Sequence, residues 1–463
     1  MDPSLWKPPP RANDLRSYFT YSFDVPPNRR LFVLWFIENV IGVFAKDSCH
    51  ERPGHYIKMQ AITSSPIQVN VSHTRDFQSN YDLSKPLLHV EVLQAHKSQL
   101  KKEDLTEKVD QFLKTEKTLA TDAIFKSSDL PSLFKGHVEQ IQLCGLRSST
   151  EPRIIDVDDV STSYHVYKLD LGGPGVEELG GGGDDDVPAA THWLLPSVEF
   201  QHLWDSLIFD TDIKDQLASF VSSTMLFSDC GVNCNIISWN RVLLLHGPPG
   251  TGKTSLCKAL AQKVSIRMNH SGKLVQKLFT KITELLEDPD SLVFVLIDEV
   301  ESLTRMRSAT ANGAEPSDAM RVVNALLTQL DHIKRYPNVL ILTTSNVTGT
   351  IDLAFVDRAD IKQYIGLPSQ GAIYQIYLSC LNELMNTKII SSKQKLLTIR
   401  QLQITNMEDR DFSQSIGLSG RSLRKIPFLA HALHSNRDRP SLTEFLQAMF
   451  AAVHKHQADA SQL

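Results

Sequence analysis

Cysteine is scarce in this 463-residue chain, with six thiols: Cys49, Cys144, Cys230, Cys234, Cys257 and Cys380. Cys230 and Cys234 form the one close pair, and no second pair completes a zinc site. A disulfide framework is therefore excluded, and reduced, structural thiols in a cytosolic or nuclear protein are expected. Cys257 is expected to be packed in a helix. Long apolar runs are also missing. The longest, Leu31 to Ala45, is too short to span a membrane and is interrupted by Glu38 and Asn39. Arg29 and Arg30 precede it without a small-residue cleavage site, so it reads as a buried element rather than a signal anchor. Charge of one sign is not in large excess. With 48 basic and 53 acidic residues the net charge is −5, which gives no global electrostatic case for nucleic-acid binding. No internal repeat is visible. Hydrophobic content of 41% and charged content of 22% suit a soluble globular protein of two to four domains.

What the chain does have is His246-Gly-Pro-Pro-Gly-Thr-Gly-Lys-Thr-Ser255. Gly247, Gly252, Lys253 and Thr254 fit the phosphate-binding loop G-x-x-x-x-G-K-[ST]. Arg241 to Leu245 leads in as a short buried strand, and Ser255 to Lys263 leads out with helical spacing. Glycines let the backbone of Gly247, Pro248, Pro249, Gly250, Thr251 and Gly252 curl around a phosphate chain, with the non-proline positions turning their N–H groups toward it and the two prolines contributing shape and no donor. The helix after the loop adds its positive end. Lys253 is expected to hold the β- and γ-phosphates, and Thr254 to give its hydroxyl to Mg²⁺. ATP and Mg²⁺ are thus the expected cofactors.

Phosphoryl transfer needs charges placed around a metal–triphosphate. Leu292 to Ile297 is an uninterrupted apolar run, suited to a parallel strand buried on both faces, and it ends in Asp298-Glu299. Asp298 is expected to hold Mg²⁺, directly or through water, and Glu299 to activate the attacking water. Val339 to Thr344 is another central strand, ending at Ser345-Asn346, where Asn346 can orient the water or touch the γ-phosphate.

Elsewhere the pattern is coarser. Residues 1–85 form a poorly readable N-terminal extension with an irregular, proline-marked start. Residues 86–170 read as a small α+β domain: strands at 88–93, 138–143 and 164–169, and an amphipathic helix at 105–113. Residues 171–190, rich in glycine and acid, read as a flexible linker. His192 to Phe209 reads as a packed connector and 211–226 as a helix. Helix 317–330 and a strand at 361–365 complete the nucleotide domain, 191–369. Residues 370–463 read as a helical lid with helices at 372–385, 391–402, 421–433 and 442–454.

With these stretches in view, residues 192–454 resemble an AAA+ ATPase module, and more closely the pachytene checkpoint protein 2 family. The segments carrying the resemblance are THWLLPSVEFQHLWDSLIFD at 191–210, ISWNRVLLLHGPPGTGKTSLCKALAQK at 237–263, FVLIDEVESL at 294–303, EPSDAMRVVNALLTQLD at 315–331, ILTTSN at 341–346, IDLAFVDRADIKQYIGLPS at 351–369 and GLSGRSLRKIPFLAHAL at 417–433. HVEV and KKEDL near 87–120 resemble that family's N-terminal domain. The resemblance implies an α/β fold: a P-loop domain with a five-stranded parallel sheet, a C-terminal helical lid, and an α+β N-terminal domain that binds substrate or adaptor. It implies homo-hexameric rings that use ATP to remodel HORMA-domain proteins with a HORMA-type adaptor, in meiotic recombination, synapsis and checkpoint control. It implies a nuclear, chromosome-associated place, with the cytoplasm second, and no membrane. By residue, it makes Arg358 the arginine finger and Arg421 the second sensor, from the lid; a surface ion pair of Arg358 with Asp357 or Asp360 is the alternative.

One departure stands out. Lys253 and Asp298 are close together for such a module, and a second strand with an aromatic pore loop is expected between them. Ser271 to Val275 resembles the segment just after that loop. The loop and most of an edge strand are therefore expected to be missing near 264–272, through splicing or an imperfect gene model. Two other readings stay open: a non-translocating, ATP-binding regulatory form, and a general AAA+ unfoldase.

Overall fold

A computed structural model of the chain describes residues 85–144, 154–178, 188–210, 212–234, 236–268, 272–276, 282, 286, 288, 291–301, 327–346, 353–391, 393–396, 413–435 and 437–461. The run Leu31 to Ala45 lies outside them. The chain divides into two compact units, residues 1–87 with 158–162, and residues 88–157 with 163–463. In the first, the described residues include Lys85, whose Nζ donates to the Asp158 carbonyl at 2.6 Å.

The N-terminal region contains β1 (Leu87–Gln94), α1 (Lys102–Glu116), β2 (Thr118–Ala120), β3 (Ile124–Lys126), β4 (Val138–Cys144), β5 (Ile154–Asp156) and β6 (Ser161–Tyr167). Four strands form a sheet in the order β3-β4-β1-β6, with β1 and β4 antiparallel and Val92 opposite Ile141. Helix α1 buries Leu105, Val109 and Leu113, a stripe at i, i+4 and i+8. Its Phe112 meets Phe125 of β3 edge-on. Strand β1 does not keep the polar/apolar alternation in its burial: from Val90 to Gln94 every residue is buried, Glu91 as fully as its apolar neighbours.

Next come β7 (Gly175–Glu178), β8 (Pro188–Leu195), the short α2 (Leu203–Ser206), α3 (Ile213–Asp229), β9 (Val242–His246), α4 (Lys253–Arg267), β10 (Gly272–Gln276), β11 (Leu292–Ile297), β12 (Val339–Ser345), α5 (Leu353–Val356) and β13 (Ile361–Tyr364). One sheet holds seven of these strands in the order β13-β9-β12-β11-β10-β8-β7. The first five are mutually parallel; β8 runs antiparallel to β10, and β7 to β8. Period-2 side chains divide the core between the two faces. Leu243, Leu245, Phe294, Leu296, Leu340 and Leu342 pack with Leu256 and Leu260 of α4 and with Leu217 of α3. Val242, Leu244, Val293, Val295, Val339 and Ile341 pack on the other face with Ile282, Leu286, Leu327, Leu330 and Ile333. Burial on both faces is why these strands read as continuous apolar runs.

The lid is α6 (Gln370–Asn386), α7 (Gly420–His434) and α8 (Leu442–Ser461), closed around Ile373, Tyr377, Leu423, Ile426, Phe445 and Met449. Ser369 and Ser419 cap α6 and α7 by accepting from the N–H groups of Ala372 and Ser422. Among the described residues, no helix is long and apolar enough to cross a membrane.

Several expectations change. The strand expected to be missing is present, because Gly272–Gln276 fills its place beside β11. Without it β11 would carry a row of unpaired backbone groups inside the domain, a cost that recruits the nearest extended segment. Nor is that strand an edge, since β8 covers it from Thr191 to Leu195. The stretch expected as a linker, 171–190, supplies β7 and the start of β8, and the residues between them, 179–187, are outside the described set. The connector 192–209 is also partly strand, and its Trp193, Leu195 and Phe200 join the core. Of the helix expected at 391–402, the described residues 391 and 393–396 are not helical. For 317–330, residues 327–330 are helical and 317–326 lie outside the described set.

Candidate nucleotide site

Strand β9 delivers the chain to the phosphate loop, and the loop's shape forces three glycines. At Gly247 (φ 146°) a Cβ would lie 2.1 Å from the Ile365 carbonyl oxygen, so any side chain would displace the segment after β13. Gly250 and Gly252 have φ of 77° and 93°, in the left-handed region where side chains are strained. Gly252 is the residue before α4, and Lys253 and Thr254 open that helix. The loop thus sits at the helix's positive end.

Lys253 is 4% exposed, and its Nζ donates to the carbonyls of Gly247 (2.9 Å) and Pro248 (2.7 Å). Burial pulls its pKa below the ordinary lysine value, against the carboxylates of Glu301 and Asp298, which raise it. A phosphate beside Nζ would supply the missing counter-charge. The Thr251 hydroxyl donates to the Pro248 carbonyl at 3.0 Å and helps hold the curl.

Asp298 comes directly after β11, and its Oδ1 accepts from the Thr254 hydroxyl at 2.8 Å and from the Thr344 hydroxyl. Thr254 and Asp298 therefore present adjacent oxygens beside the phosphate loop, the hard donor set that suits Mg²⁺. Glu299 has a backbone φ of 55°, unusual for a residue with a side chain. Its N–H donates to Thr344 Oγ1 at 3.2 Å, and the Val300 N–H to the Thr344 carbonyl at 2.9 Å. Asn346 Nδ2 donates to Glu299 Oε1 at 3.0 Å, and the Asn346 N–H to Glu301 Oε1 at 2.9 Å. Parallel pairing of β9, β12 and β11 brings these three strand ends to one edge of the sheet.

The lid touches the same loop. The Arg421 N–H donates to the Gly250 carbonyl at 3.0 Å, and a Cβ on Gly250 would lie 2.7 Å from Ser419 Oγ. Arg421 thus joins the site through its backbone. Arg358 does not join it within this chain. Its Nε and Nη2 form a two-pronged pair with Asp331, at 3.0 and 2.7 Å. That pair holds the Asp331 carboxyl down at about 2, chiefly through the Arg358 hydrogen bond. Neither Asp357 nor Asp360 is the partner in this pair. Asp360 instead accepts from the backbone N–H groups of Asn240 (2.8 Å) and Val242 (3.2 Å), tying β13 to β9.

Sequence reasoning missed Thr344, Glu301 and Ser419. Thr344 carried a signal, since the hydroxyls of Thr343, Thr344 and Ser345 end an apolar run and buried hydroxyls need partners. Glu301 and Ser419 carried none beyond proximity to the motifs. Cys257 is fully buried in α4, as expected.

Comparison with known proteins places this geometry in a family. Residues 83–171 match the family described as TRIP13 N-terminal domain. Residues 243–367 match the ATPase family associated with various cellular activities (AAA). Residues 369–416 and 409–457 match the TRIP13-like, AAA+ ATPase lid C-terminal domain. The pachytene checkpoint protein 2 homolog of Rattus norvegicus is 47% identical over 412 residues, 82% of this chain and 95% of that one. The Gallus gallus homolog is 48% identical over 410 residues, 81% and 94% of the two chains. The solved structure of C. elegans PCH-2 superimposes with a TM-score of 0.66 at 31% identity, covering 81% of this chain and 100% of that chain. Phosphate loop, paired acids, strand-end Asn346 and contacting lid thus occur in a chain homologous along most of its length to these proteins, and the chain belongs to the pachytene checkpoint protein 2 family of AAA ATPases.

Proposed function

We propose that this ATPase uses Mg²⁺-ATP to remodel HORMA-domain proteins, with a HORMA-type adaptor and as a homo-hexamer, at meiotic chromosomes in the nucleus, with a second pool in the cytoplasm. The observation that carries the nucleotide half is the pairing of Thr254 with Asp298 and of Asn346 with Glu299, the two pairs linked by hydrogen bonds to Thr344, at the mouth of the phosphate loop. In this reading the backbone N–H groups of 250–254 and Lys253 Nζ grip the phosphates, and Thr254 and Asp298 hold the metal. Mg²⁺ held there would supply positive charge against the charge that develops in transfer. Glu299 takes a proton from the attacking water, and Asn346, already on its Oε1, fixes the carboxylate's direction. Arg421 reports lid position, and Arg358 leaves Asp331 for a neighbouring copy's γ-phosphate. The choice of HORMA substrate rests on family membership.

A second reading, ATP turnover without threading, is favoured by one observation. Strands β10 and β11 are parallel neighbours joined through residues 277–291, among which Ile282 and Leu286 are helical and buried. A parallel crossover by itself takes about a dozen residues or more. Little chain is then left for a substrate-gripping loop. The test compares the full chain with a version carrying an aromatic loop segment inserted directly after Gln276, in the β10–β11 crossover. ATP turnover, mass in solution with Mg²⁺-ATP, and conversion of a purified HORMA protein are measured for both. Conversion by the unmodified chain supports remodelling. Conversion only after insertion establishes the non-threading form. Turnover by neither removes both readings.

A further inference from the structure

The far end of the phosphate-loop helix is built as carefully as the near end. Helix α4 runs about 22 Å, at roughly 1.5 Å per residue, from Lys253 to Arg267. At its last turns Lys263 Nζ donates to Glu91 Oε2 at 2.6 Å, and Arg267 Nε reaches Glu91 Oε1 at 3.4 Å. The side chains of Glu91 and Lys263 are 3% and 6% exposed, and that of Arg267 23%. Glu91 comes from β1 of the N-terminal region, 172 residues earlier in the chain than Lys263. The pair is ionised: burial would raise Glu91, but Lys263 and Arg267 hold it below the usual carboxylate value; burial would lower Lys263, but Glu91 raises it.

Helix α4 is fastened twice more along its length. Gln262 accepts from the Ser197 N–H and donates to the Ser197 carbonyl, both at 2.9 Å. Lys258 Nζ lies 4.7 Å from the centre of the Trp193 ring and 5.5 Å from that of Phe200. Those two bonds and the ring contacts stay within the nucleotide domain. Glu91 of β1 carries the charged link to the N-terminal sheet, where Lys263 Nζ also meets Cys144 Sγ of β4 at 3.5 Å, and removing one member of a buried pair leaves the other charged and stranded.

We propose that Glu91 is a positioning residue for the ATPase: through Lys263 and Arg267 it fixes the far end of α4, so that the N-terminal sheet and the phosphate loop respond to nucleotide as one body. By linkage, whatever binds the N-terminal sheet then alters nucleotide affinity by the same factor by which nucleotide alters its own. The proposal rests on nucleotide binding at 247–254 and not on any choice of protein substrate.

Hydrogen exchange of the full chain with and without Mg²⁺-ADP tests it, beside steady-state ATP turnover. In the unaltered chain Mg²⁺-ADP slows exchange both at 247–256 and in β1. In Glu91→Gln the slowing at 247–256 persists, the slowing in β1 is lost, and KM for ATP rises about fivefold while kcat changes less than twofold. A merely structural defect would lower the active fraction, and hence kcat, with KM unchanged. Lys263→Arg retains the β1 response; Arg267→Gln, at the half-open rim, weakens it and serves if Glu91→Gln does not fold. Undiminished β1 slowing in both Glu91→Gln and Arg267→Gln, or no β1 slowing in the unaltered chain despite slowing at 247–256, overturns the proposal. Absence of slowing at 247–256 instead removes the nucleotide reading beneath it.

Discussion

The two ends of α4 solve opposite problems. At the first end three glycines with positive φ clear space, and the groups left over are held locally, Lys253 on the loop's own carbonyls and Thr254 on Asp298, beside a loop shaped for an anion. At the other end nothing is left over: Glu91, Lys263 and Gln262 are buried and paired with neighbours fixed by the fold. An end made for a ligand must be specified locally, because the ligand brings its own half of the contacts. An end made for packing is specified by whatever the fold brings near it. This difference also separates what a motif can announce from what it cannot.

The largest effect should come from the ligand end. Glu299→Gln removes the proposed base while its amide still accepts from Asn346, so single-turnover hydrolysis should fall about 10³-fold with Mg²⁺-ATP affinity nearly unchanged. An unaltered rate would take Glu299 out of the chemistry. Lys253→Ala loses charge-assisted contacts worth about 3 kcal/mol, so affinity measured with a fluorescent nucleotide should fall about 100-fold while exchange at Glu91 and Lys263 stays as it was. If instead the N-terminal sheet loosens without nucleotide, the two ends of the helix are not separate in stability.

The packing end is the one that acid should attack. Beside Glu91 lie His89 and His165, Nδ1 to Nε2 at 2.9 Å, with Ser163, Arg267 and Lys263 around them. Burial, with Arg267 next for His89, lowers them to about 3 and about 4. Their unfolded pKa is about 6.5, so between that value and the folded one the unfolded chain binds more protons. Stability is therefore present above pH 6.5 and lost as pH falls. His165 alone accounts for about 2 kcal/mol at pH 5, read as faster exchange of β6 amides relative to their intrinsic rates. In His165→Gln this pH dependence should shrink, and equal loss in that variant would mean another group titrates. The smallest effect lies where the lid meets the loop. Ser419→Ala removes the α7 cap at a cost of about 1 kcal/mol, seen as a lower melting temperature and a modestly raised KM for ATP.

Most of the nucleotide fold was legible because it is local. Leu292 to Ile297 and Val339 to Leu342 are apolar on both faces, and each run leads into polar residues that the site uses, Asp298 after the first and Thr344 after the second. The β7–β8 hairpin was not legible, since its glycine-rich, acidic surroundings resemble a linker and its pairing partner is eighty residues downstream in β10. The recruitment of Gly272–Gln276 as a strand was hidden for a related reason: the segment's own resemblance pointed to a different structure, and the need of β11 for a neighbour prevailed. Glu91 was concealed most completely. In HVEV it occupies the polar slot of an alternating strand, and only the arrival of Lys263 and Arg267 makes its burial tolerable.

The contact between lid and loop bears on how product is told from substrate. The first turn of α7 rests on Gly250, so two helix starts, those of α4 and α7, converge on one loop. Each carries roughly half a positive charge at its start. A triphosphate satisfies this convergence better than a diphosphate does, since it carries more negative charge. The loop and lid thus form a crude charge meter. In the proposed cycle, cleavage would weaken the hold on both helices at once, so that loss of one phosphate would be felt by loop and lid together.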